Sequence, residues 1–360
     1  MENKKVLVAM SGGVDSSVAA YILKQEGYSC VGTTMKLYNN EDIGVSPKKT
    51  CCSLDDISDA RRVAHKLDIP FYVFNFTKEF KTEVINRFVN SYENGETPNP
   101  CIDCNRFLKF DRLYKRAEAL GIPYVATGHY ARIEKENERY LLKKALDPLK
   151  DQSYVLYSLT QEQLSHTIFP LGEIKDKKVT RDIAENAGFY NAKKPDSQDI
   201  CFVPNGKYAE FIKNYTGKSY KPGAFLSENG EVLGKHRGII EYTVGQRKGL
   251  NIGLGKPCYV TNINPKNNTV VLGDNGDLFK KELLAEDFNY IAFSTTNKPF
   301  KAYAKIRYKQ PEQEATVYPI TDTAVKIVFK EPQRAITKGQ AVVLYNNDLV
   351  LGGGKISEVL

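Results

Sequence analysis

Ala9, Met10, Ser11, Gly12, Gly13, Val14, Asp15, Ser16 and Ser17 combine three hydroxyls, two adjacent glycines and one carboxylate in a short stretch of chain. Such a stretch is suited to holding a phosphate. Glycine lets the backbone bend and approach an anion, and a helix start beyond it offers N–H groups without intrahelical partners. No lysine follows the glycines, which separates this loop from the GxxxxGK[ST] loop of kinases and GTPases. A plain strand-to-helix turn with Asp and Ser as caps is the competing reading.

Thiol chemistry is the second resource. The stretch Thr97-Pro98-Asn99-Pro100-Cys101-Ile102-Asp103-Cys104-Asn105 precedes Phe107, Phe110, Leu113, Ala117 and Leu120 at helical spacing. Cys104 is therefore expected at a helix start, where partial positive charge with Arg106 and Lys109 would depress the thiol pKa and favour a nucleophilic thiolate. Two alternatives stand beside it: a buried structural Cys pair, or half of a metal site completed by Cys51-Cys52. Adjacent cysteines suit a four-coordinate zinc poorly and a second CxxC is missing, so no metal is expected. Cys201, between the polar Asp196-Ser197-Gln198-Asp199 and Phe202, reads as a partly exposed loop residue.

Elements must bring these groups together. To about residue 130 the pattern alternates strand and helix, with strands expected at 5–9, 29–38, 71–76 and 124–126. Helices are expected from Asp15 and at 54–67, 77–92 and 107–120, the rhythm of a parallel sheet. Ligands of open α/β sheets bind beyond the carboxyl ends of strands, which would place Ser11, Met35 and Gly128 on one rim. Residues 150–210 are expected to be mostly helical, with a helix over 177–187 ending at Gly188. A composition change near 205–215 introduces a small Gly-rich β segment over 222–280. Strands are then expected at 302–308, 315–318, 325–329 and 341–345, ending the chain in a β-barrel. The domains expected are 1–210, 211–282 and 283–360.

With 360 residues the chain is long enough for two or three domains. No segment approaches the ~20 consecutive apolar residues of a membrane helix, so no membrane partner and a cytoplasmic location are expected. Seven cysteines, an odd number in a long chain, argue for reduced, reactive or metal-bound thiols over a secreted disulfide framework. The net charge is +8, and residues 201–280 carry 11 Lys and Arg against 6 Asp and Glu. That surplus fits a polyanionic partner such as RNA, or simply a solvated basic surface.

SGGVDSS after a first strand resembles the pyrophosphatase loop of enzymes that cleave ATP between the α and β phosphates. Taken with TPNPxxxCN, ATGHYAR at 126–132, KDQSYVL at 150–156, DSQDICF, GQRKGL at 245–250, Lys305-Ile306-Arg307-Tyr308 and Gly339-Gln340, the chain resembles the tRNA-specific 2-thiouridylases nearly end to end. The resemblance implies an α/β fold: a Rossmann-like parallel sheet of the adenine nucleotide alpha-hydrolase type, a small mixed or β central domain and a C-terminal β-barrel. It implies that ATP, with magnesium held in part by Asp15, adenylates the C2 oxygen of the wobble uridine in the anticodon region of tRNA. A persulfide on Cys201, loaded by a donor protein, would supply the sulfur that replaces that oxygen, and Cys104 would attack the sulfur–sulfur link, either freeing hydrosulfide or resolving a mixed disulfide after transfer.

The resemblance further places Ala9 to Ser16, Met35 and Gly128 at ATP. Asn99, Pro100 and Cys101 would lie beside a flipped base, and His129, Lys150, Asp151, Gln152, Ser153, Arg307, Tyr308 and Gln340 at the tRNA. His129 as a strand-end cap and Tyr308 as barrel core are the structural alternatives. Many members carry Asp where this chain has Cys101, and the nearest acid is Asp103. Cys101 is accordingly expected to be dispensable for sulfur transfer, although its CxxC spacing with Cys104 would permit an internal disulfide. The rival functions are an iron–sulfur-dependent RNA thiolase, an adenylating ligase of the same fold, and a nonenzymatic ATP-regulated RNA-binding protein.

Overall fold

A computed structural model describes residues 4–39, 54–196, 200–203 and 206–360. Its first layer is a parallel sheet of β1 (Lys5–Ala9), β2 (Ser29–Lys36), β3 (Phe71–Asn75), β4 (Tyr124–Thr127) and a short strand, Thr167–Ile168, in the order β3-β2-β1-β4 followed by Thr167–Ile168. Val6, Leu7 and Val8 have no exposed surface, as expected of a central parallel strand covered on both faces. The order turns outward in opposite directions on either side of β1. The crevice at the carboxyl ends of β1 and β4 is therefore the topological switch point, and the glycine loop and Gly128 sit at those two ends.

Helices cover both faces. Val14–Gln25 leaves the glycine loop, Leu54–Lys66 returns toward β3, and continuous helices run over 77–93 and 100–119, each passing through a stretch of wider π geometry. The second begins at Pro100 with Asn99 as its N-cap, earlier than the spacing of its apolar residues indicates. The expectation of mostly helix over 150–210 is corrected. That region holds the helices Gln161–Ser165, Lys177–Asn186 and the start of Tyr208–Thr216, separated by turns and the strand Thr167–Ile168.

A hairpin of β5 (Ala131–Glu136) and β6 (Arg139–Lys144) leaves the carboxyl end of β4, and β7 is the strand Thr167–Ile168. The central sheet has the order β10-β11-β8-β9, built from β8 (Gly223–Ser227), β9 (Val232–His236), β10 (Tyr259–Asn264) and β11 (Thr269–Gly273). The C-terminal strands are β12 (Phe279–Tyr290), β13 (Phe300–Lys305), β14 (Gln313–Thr321), β15 (Ala324–Arg334), β16 (Ala341–Asn346) and β17 (Leu349–Val359). They run β12-β15-β14-β13-β16-β17, and pairing of β12 with β17 closes a six-stranded barrel. The hairpin docks on its outside through Leu349 and Lys143. A boundary at 282 would fall inside β12. β13 ends at Lys305, so Arg307 and Tyr308 stand in the turn after it and not in a strand. Among the described residues no helix is long and apolar enough to cross a membrane.

Candidate active site

Gly12 has φ +77°, and a Cβ there would come within 2.4 Å of the Asp56 carbonyl oxygen. Side chains are excluded at this bend by conformation and by space. Gly128 faces the same helix start from β4, where a Cβ would lie 2.7 Å from the Ser16 nitrogen. The two glycines thus bring two strand ends onto one helix N-terminus, whose N-cap, Gly13, supplies no capping side chain. The first-turn N–H groups point toward the crevice, the arrangement that attracts phosphate.

Hydroxyls play a different part from the one expected. Ser16 and Ser17 are buried and donate to the Gly13 carbonyl at 3.1 and 2.9 Å, and Ser16 Oγ also accepts from the Ser11 N–H at 3.1 Å. They shape the loop, leaving Ser11 as its exposed hydroxyl. Met10 lies beneath the loop. Its side chain is buried against Gly32, its N–H donates to the Thr33 carbonyl and its carbonyl accepts from Thr34, so it supports the loop from beneath. Val14 is likewise core, and Met35 is partly buried among residues packed on the cluster that contains Cys104.

The positive charge missing from the loop arrives from far along the chain. Lys177, at the first turn of its helix, places Nζ on Asp15 Oδ1 and 3.3 Å from Asp196 Oδ1. Asp196 also receives Lys150 at 2.7 Å and Arg181 at 3.3 Å. Burial alone would raise the Asp196 carboxyl, but the bonds to Lys150 and Lys177 outweigh it and hold it below the usual carboxylate range. Tyr130 donates to Asp15 at 2.7 Å, and burial with that carboxylate pushes its hydroxyl up, so it stays a donor. Behind the loop, Lys194 bridges Asp56 at 2.6 Å and Asp59 at 2.8 Å, and Asn191 donates to the Gly12 carbonyl at 2.9 Å. Sequence reading missed Tyr130, Lys177, Arg181, Asn191 and Lys194. The signal available was the density of cations from 175 to 194 just before the polar 196–199 run.

Cys104 and Cys201 belong to the same extended apolar cluster. Cys104 is a buried member at 8% exposure, and Cys201 packs on its edge, half-buried. Phe202 anchors the latter, with ring centroids 5.5 Å from Phe80 and 5.2 Å from both Phe88 and Phe211. Tyr38 donates to the Cys201 carbonyl at 2.9 Å. The expected low pKa of Cys104 is overturned. The residue lies a full turn inside its helix, where the macrodipole has faded, and burial pushes the thiol up to about 11 despite the favourable charge of Lys109. Asn99 and Pro100, the capping pair that fixes this start, were readable in the sequence. Cys101 is exposed. Cys51 and Cys52, and residues 197–199 of the polar run, lie outside the described residues, among which no cluster of three His, Cys, Asp or Glu could hold a metal.

Asp103 is pushed up to about 6, chiefly by burial, against the opposing charges of Arg87, Arg106 and Lys355. Its folded pKa exceeds its unfolded one, so the fold binds the proton more tightly. That contribution is full below about pH 4 and is lost as pH rises through about 6. At pH 7.5 the buried carboxylate therefore costs on the order of 1–3 kcal/mol. Asp103→Asn should raise the melting temperature at pH 7.5 and lose that advantage near pH 4. A variant that is less stable at pH 7.5 would show the carboxylate to be held by its cations instead.

The residues expected at RNA are largely engaged within the protein. His129 is buried, its Nδ1 2.6 Å from Thr127 Oγ1, and burial with Lys109 nearby pulls its pKa well down, so the ring is neutral. It caps the strand end and packs on Phe110 and Phe169. Asp151 accepts from the N–H groups of Ala145 and Ser153 and from the Ser153 hydroxyl. Gln152 accepts from the Tyr130 N–H at 3.0 Å. Tyr308 donates to the Asp151 carbonyl at 3.1 Å and lies close enough to Cys101 to sense its charge. Arg307 donates to the carbonyls of Val244 and Ala335 and to Thr337, joining the central segment to the barrel. Gln340 donates to the Thr97 carbonyl at 2.7 Å, and Thr97 donates to Lys338, so a barrel loop grips the chain just before Asn99. The structure thus gathers Asn99 to Cys104, Asp151, Tyr308 and Gln340 in one place and the phosphate-type loop, Gly128 and Lys150 in another.

Three family models cover the chain: a tRNA methyl transferase HUP domain over residues 4–205, a tRNA methyl transferase PRC-barrel domain over 209–274 and an aminomethyltransferase beta-barrel domain over 280–356. Relatives matched over their whole length carry another description. A tRNA-specific 2-thiouridylase MnmA of Clostridioides difficile is 54% identical over 360 residues, 99% of each chain. One of Clostridium beijerinckii is 52% identical over 357 residues, again 99% of each. Among solved structures, a 4-thiouridine synthetase in complex with RNA and ATP is 19% identical, covers 59% of this chain and 50% of its own, and aligns at a TM-score of 0.34. A likeness that loose carries no functional argument.

Proposed function

The chain belongs to the tRNA-specific 2-thiouridylase family, and from that premise we propose how its parts divide the work of a tRNA-uridine 2-sulfurtransferase. The loop 9–16 activates the uridine with ATP, and the Cys201–Cys104 pair delivers the sulfur. The observation that supports this reading is that two cysteines, about a hundred residues apart, belong to one apolar cluster. A uridine C2 oxygen is a poor leaving group until it is a phosphate ester. Adenylation makes it one, and pyrophosphate leaves.

Lys177, Lys150 and Arg181 surround Asp196 beside the loop and are placed to exchange that carboxylate for the departing phosphates. Magnesium needs few protein oxygens when phosphates supply the rest, and Asp15 is the carboxylate on the loop to share it. The ion, when bound, neutralises phosphate charge. Asn99, Pro100 and Cys101 lie where a flipped base would be held, close to Asp151 and Tyr308. Sulfur from a Cys201 persulfide adds at C2, AMP departs, and Cys104 cleaves the remaining sulfur–sulfur bond. The donor of that persulfide is a separate sulfur-carrying protein. Residues up to about 205 form the catalytic unit, 209–274 a basic connector, and the strands from β12 onward the barrel that grips the tRNA and the 97–99 loop.

Incubation with ATP, magnesium, unmodified tRNA and a labelled persulfide donor should yield labelled 2-thiouridine and pyrophosphate that appears only with tRNA. Absence of label would reject the sulfurtransferase reading. Label dependent on a stoichiometric iron–sulfur cluster would replace the two-cysteine route, and ATP binding without pyrophosphate release would favour a nonenzymatic RNA-binding protein.

A further inference from the structure

The glycine loop is held from behind by a residue nearly 180 positions further along the chain. Asn191 Nδ2 donates to the Gly12 carbonyl at 2.9 Å and to Ser17 Oγ at 2.9 Å, and that hydroxyl donates in turn to the Gly13 carbonyl at 2.9 Å. Two successive glycine carbonyls are thus drawn to the buried side of the loop, one directly and one through Ser17. Lys194 Nζ adds a longer contact to the Gly12 carbonyl, 3.3 Å, but it is committed to Asp56 and Asp59. Asn191 is the principal holder.

A planar trans peptide points its C=O and its N–H in opposite directions, and among the described residues no peptide bond is cis. Fixing the Gly12 and Gly13 carbonyls at the back therefore turns the N–H groups of Gly13 and Val14 toward the crevice. Successive N–H groups aimed to one side make a concavity for anions. The Gly13 N–H meets the exposed Ser11 hydroxyl at 3.4 Å, a long contact, so a charged phosphate oxygen would be the better acceptor.

The state of the Asn191 amide fits this task. The residue is 4% exposed, and its Oδ1 is buried with no hydrogen-bond partner among the described residues, a penalty the fold carries while Nδ2 is doubly engaged. The reverse amide orientation would set Oδ1 against the Gly12 carbonyl oxygen. The donor must face the loop.

We propose that Asn191 is a positioning residue of the ATP site, which acts through the Gly12 and Gly13 carbonyls to aim the Gly13 and Val14 N–H groups at the phosphates that leave as pyrophosphate. This deepens the reading of loop 9–16 given above and rests on it. Asn191 itself need not touch the nucleotide. Because the groups it aims meet the pyrophosphate portion, its loss is felt by ATP and not by AMP.

The full-length enzyme with magnesium is titrated calorimetrically with ATP and with AMP, and the ratio of the two dissociation constants is taken within each variant. That ratio cancels any difference in folded fraction. Asn191→Leu keeps the volume and removes the donor, and its preference for ATP over AMP should fall by roughly ten-fold or more, the scale of a hydrogen bond to a charged group. Ser17→Ala cuts only the relay to Gly13 and should lose roughly three-fold, a result that carries the test alone if the leucine variant does not fold. The double variant should lose less than the product of the two single losses, because Asn191 works partly through Ser17. Equal weakening of ATP and AMP, or an unchanged preference in the folded variants, overturns the positioning role. A wild type with no preference for ATP over AMP would instead overturn the phosphate reading of the loop, and this proposal with it.

Discussion

Replacing Cys201 with serine is expected to lower 2-thiouridine formation by roughly a thousand-fold or more while tRNA-dependent pyrophosphate release continues, because the variant removes the sulfur carrier and leaves the activating loop intact. The substitution is structurally mild. The position of residue 201 is fixed by Phe202, which is 1% exposed among three aromatic rings, and by the bond from Tyr38 to the backbone carbonyl, neither of which involves the thiol. A serine oxygen cannot accept sulfane sulfur from a donor, so loss of product should be accompanied by loss of protein-bound persulfide. Cys104→Ser should also lose free product, but after loading and attack, with the tRNA held on Cys201 through the uncleaved sulfur–sulfur bond. Undiminished thiouridine in Cys201→Ser would remove this cysteine from the reaction. The order of loading and cleavage also explains why burial of Cys104 is tolerable. A thiol pushed up to about 11 is a poor nucleophile at neutral pH and does not squander an incoming persulfide before the uridine is activated.

What was legible in the sequence was local. The glycine loop, its strand and its helix follow from apolar runs and turn chemistry within a few residues, and β1 and the Leu54–Lys66 helix stand where their patterns put them. Alternation in the C-terminal third marked strands of the barrel. Three features were not legible because each depends on contacts between distant segments. The β5–β6 hairpin is an ordinary amphipathic hairpin by sequence, and its docking on β17 is set by packing. Cys104 follows two prolines and precedes charged residues, a polar context, yet the helix 77–93 and the Phe202 segment close over it. The side chains of Ser16, Ser17 and Met10 are buried supports of the loop, a role set by packing that their place in the motif does not reveal. Cations for the phosphates follow the same rule: a motif names the cradle, and tertiary structure supplies its charge.

That last point carries a second large effect. Lys177→Met should lower the rate of tRNA-dependent pyrophosphate release by about 100- to 1000-fold, the scale of one preorganised contact to charge that develops in a transition state. The loop itself has no lysine, and Lys177 is the cation in direct contact with its carboxylate, Asp15. Its side chain is 11% exposed, so methionine keeps the stem packed and removes the charge. Asp196 retains Lys150 and Arg181 in the variant, which limits any loss of stability. If Lys177 meets the leaving phosphates, kcat should fall more than KM for ATP rises, because the charge it neutralises grows as the α–β bond breaks. Asp196→Asn offers the contrast. It releases Lys177, Lys150 and Arg181 without deleting any of them, so it should weaken positioning by about ten-fold and leave the same cations available. Pyrophosphate release that survives Lys177→Met unchanged would make this lysine a strut between Asp15 and Asp196 and assign the phosphates to the helix N-terminus alone.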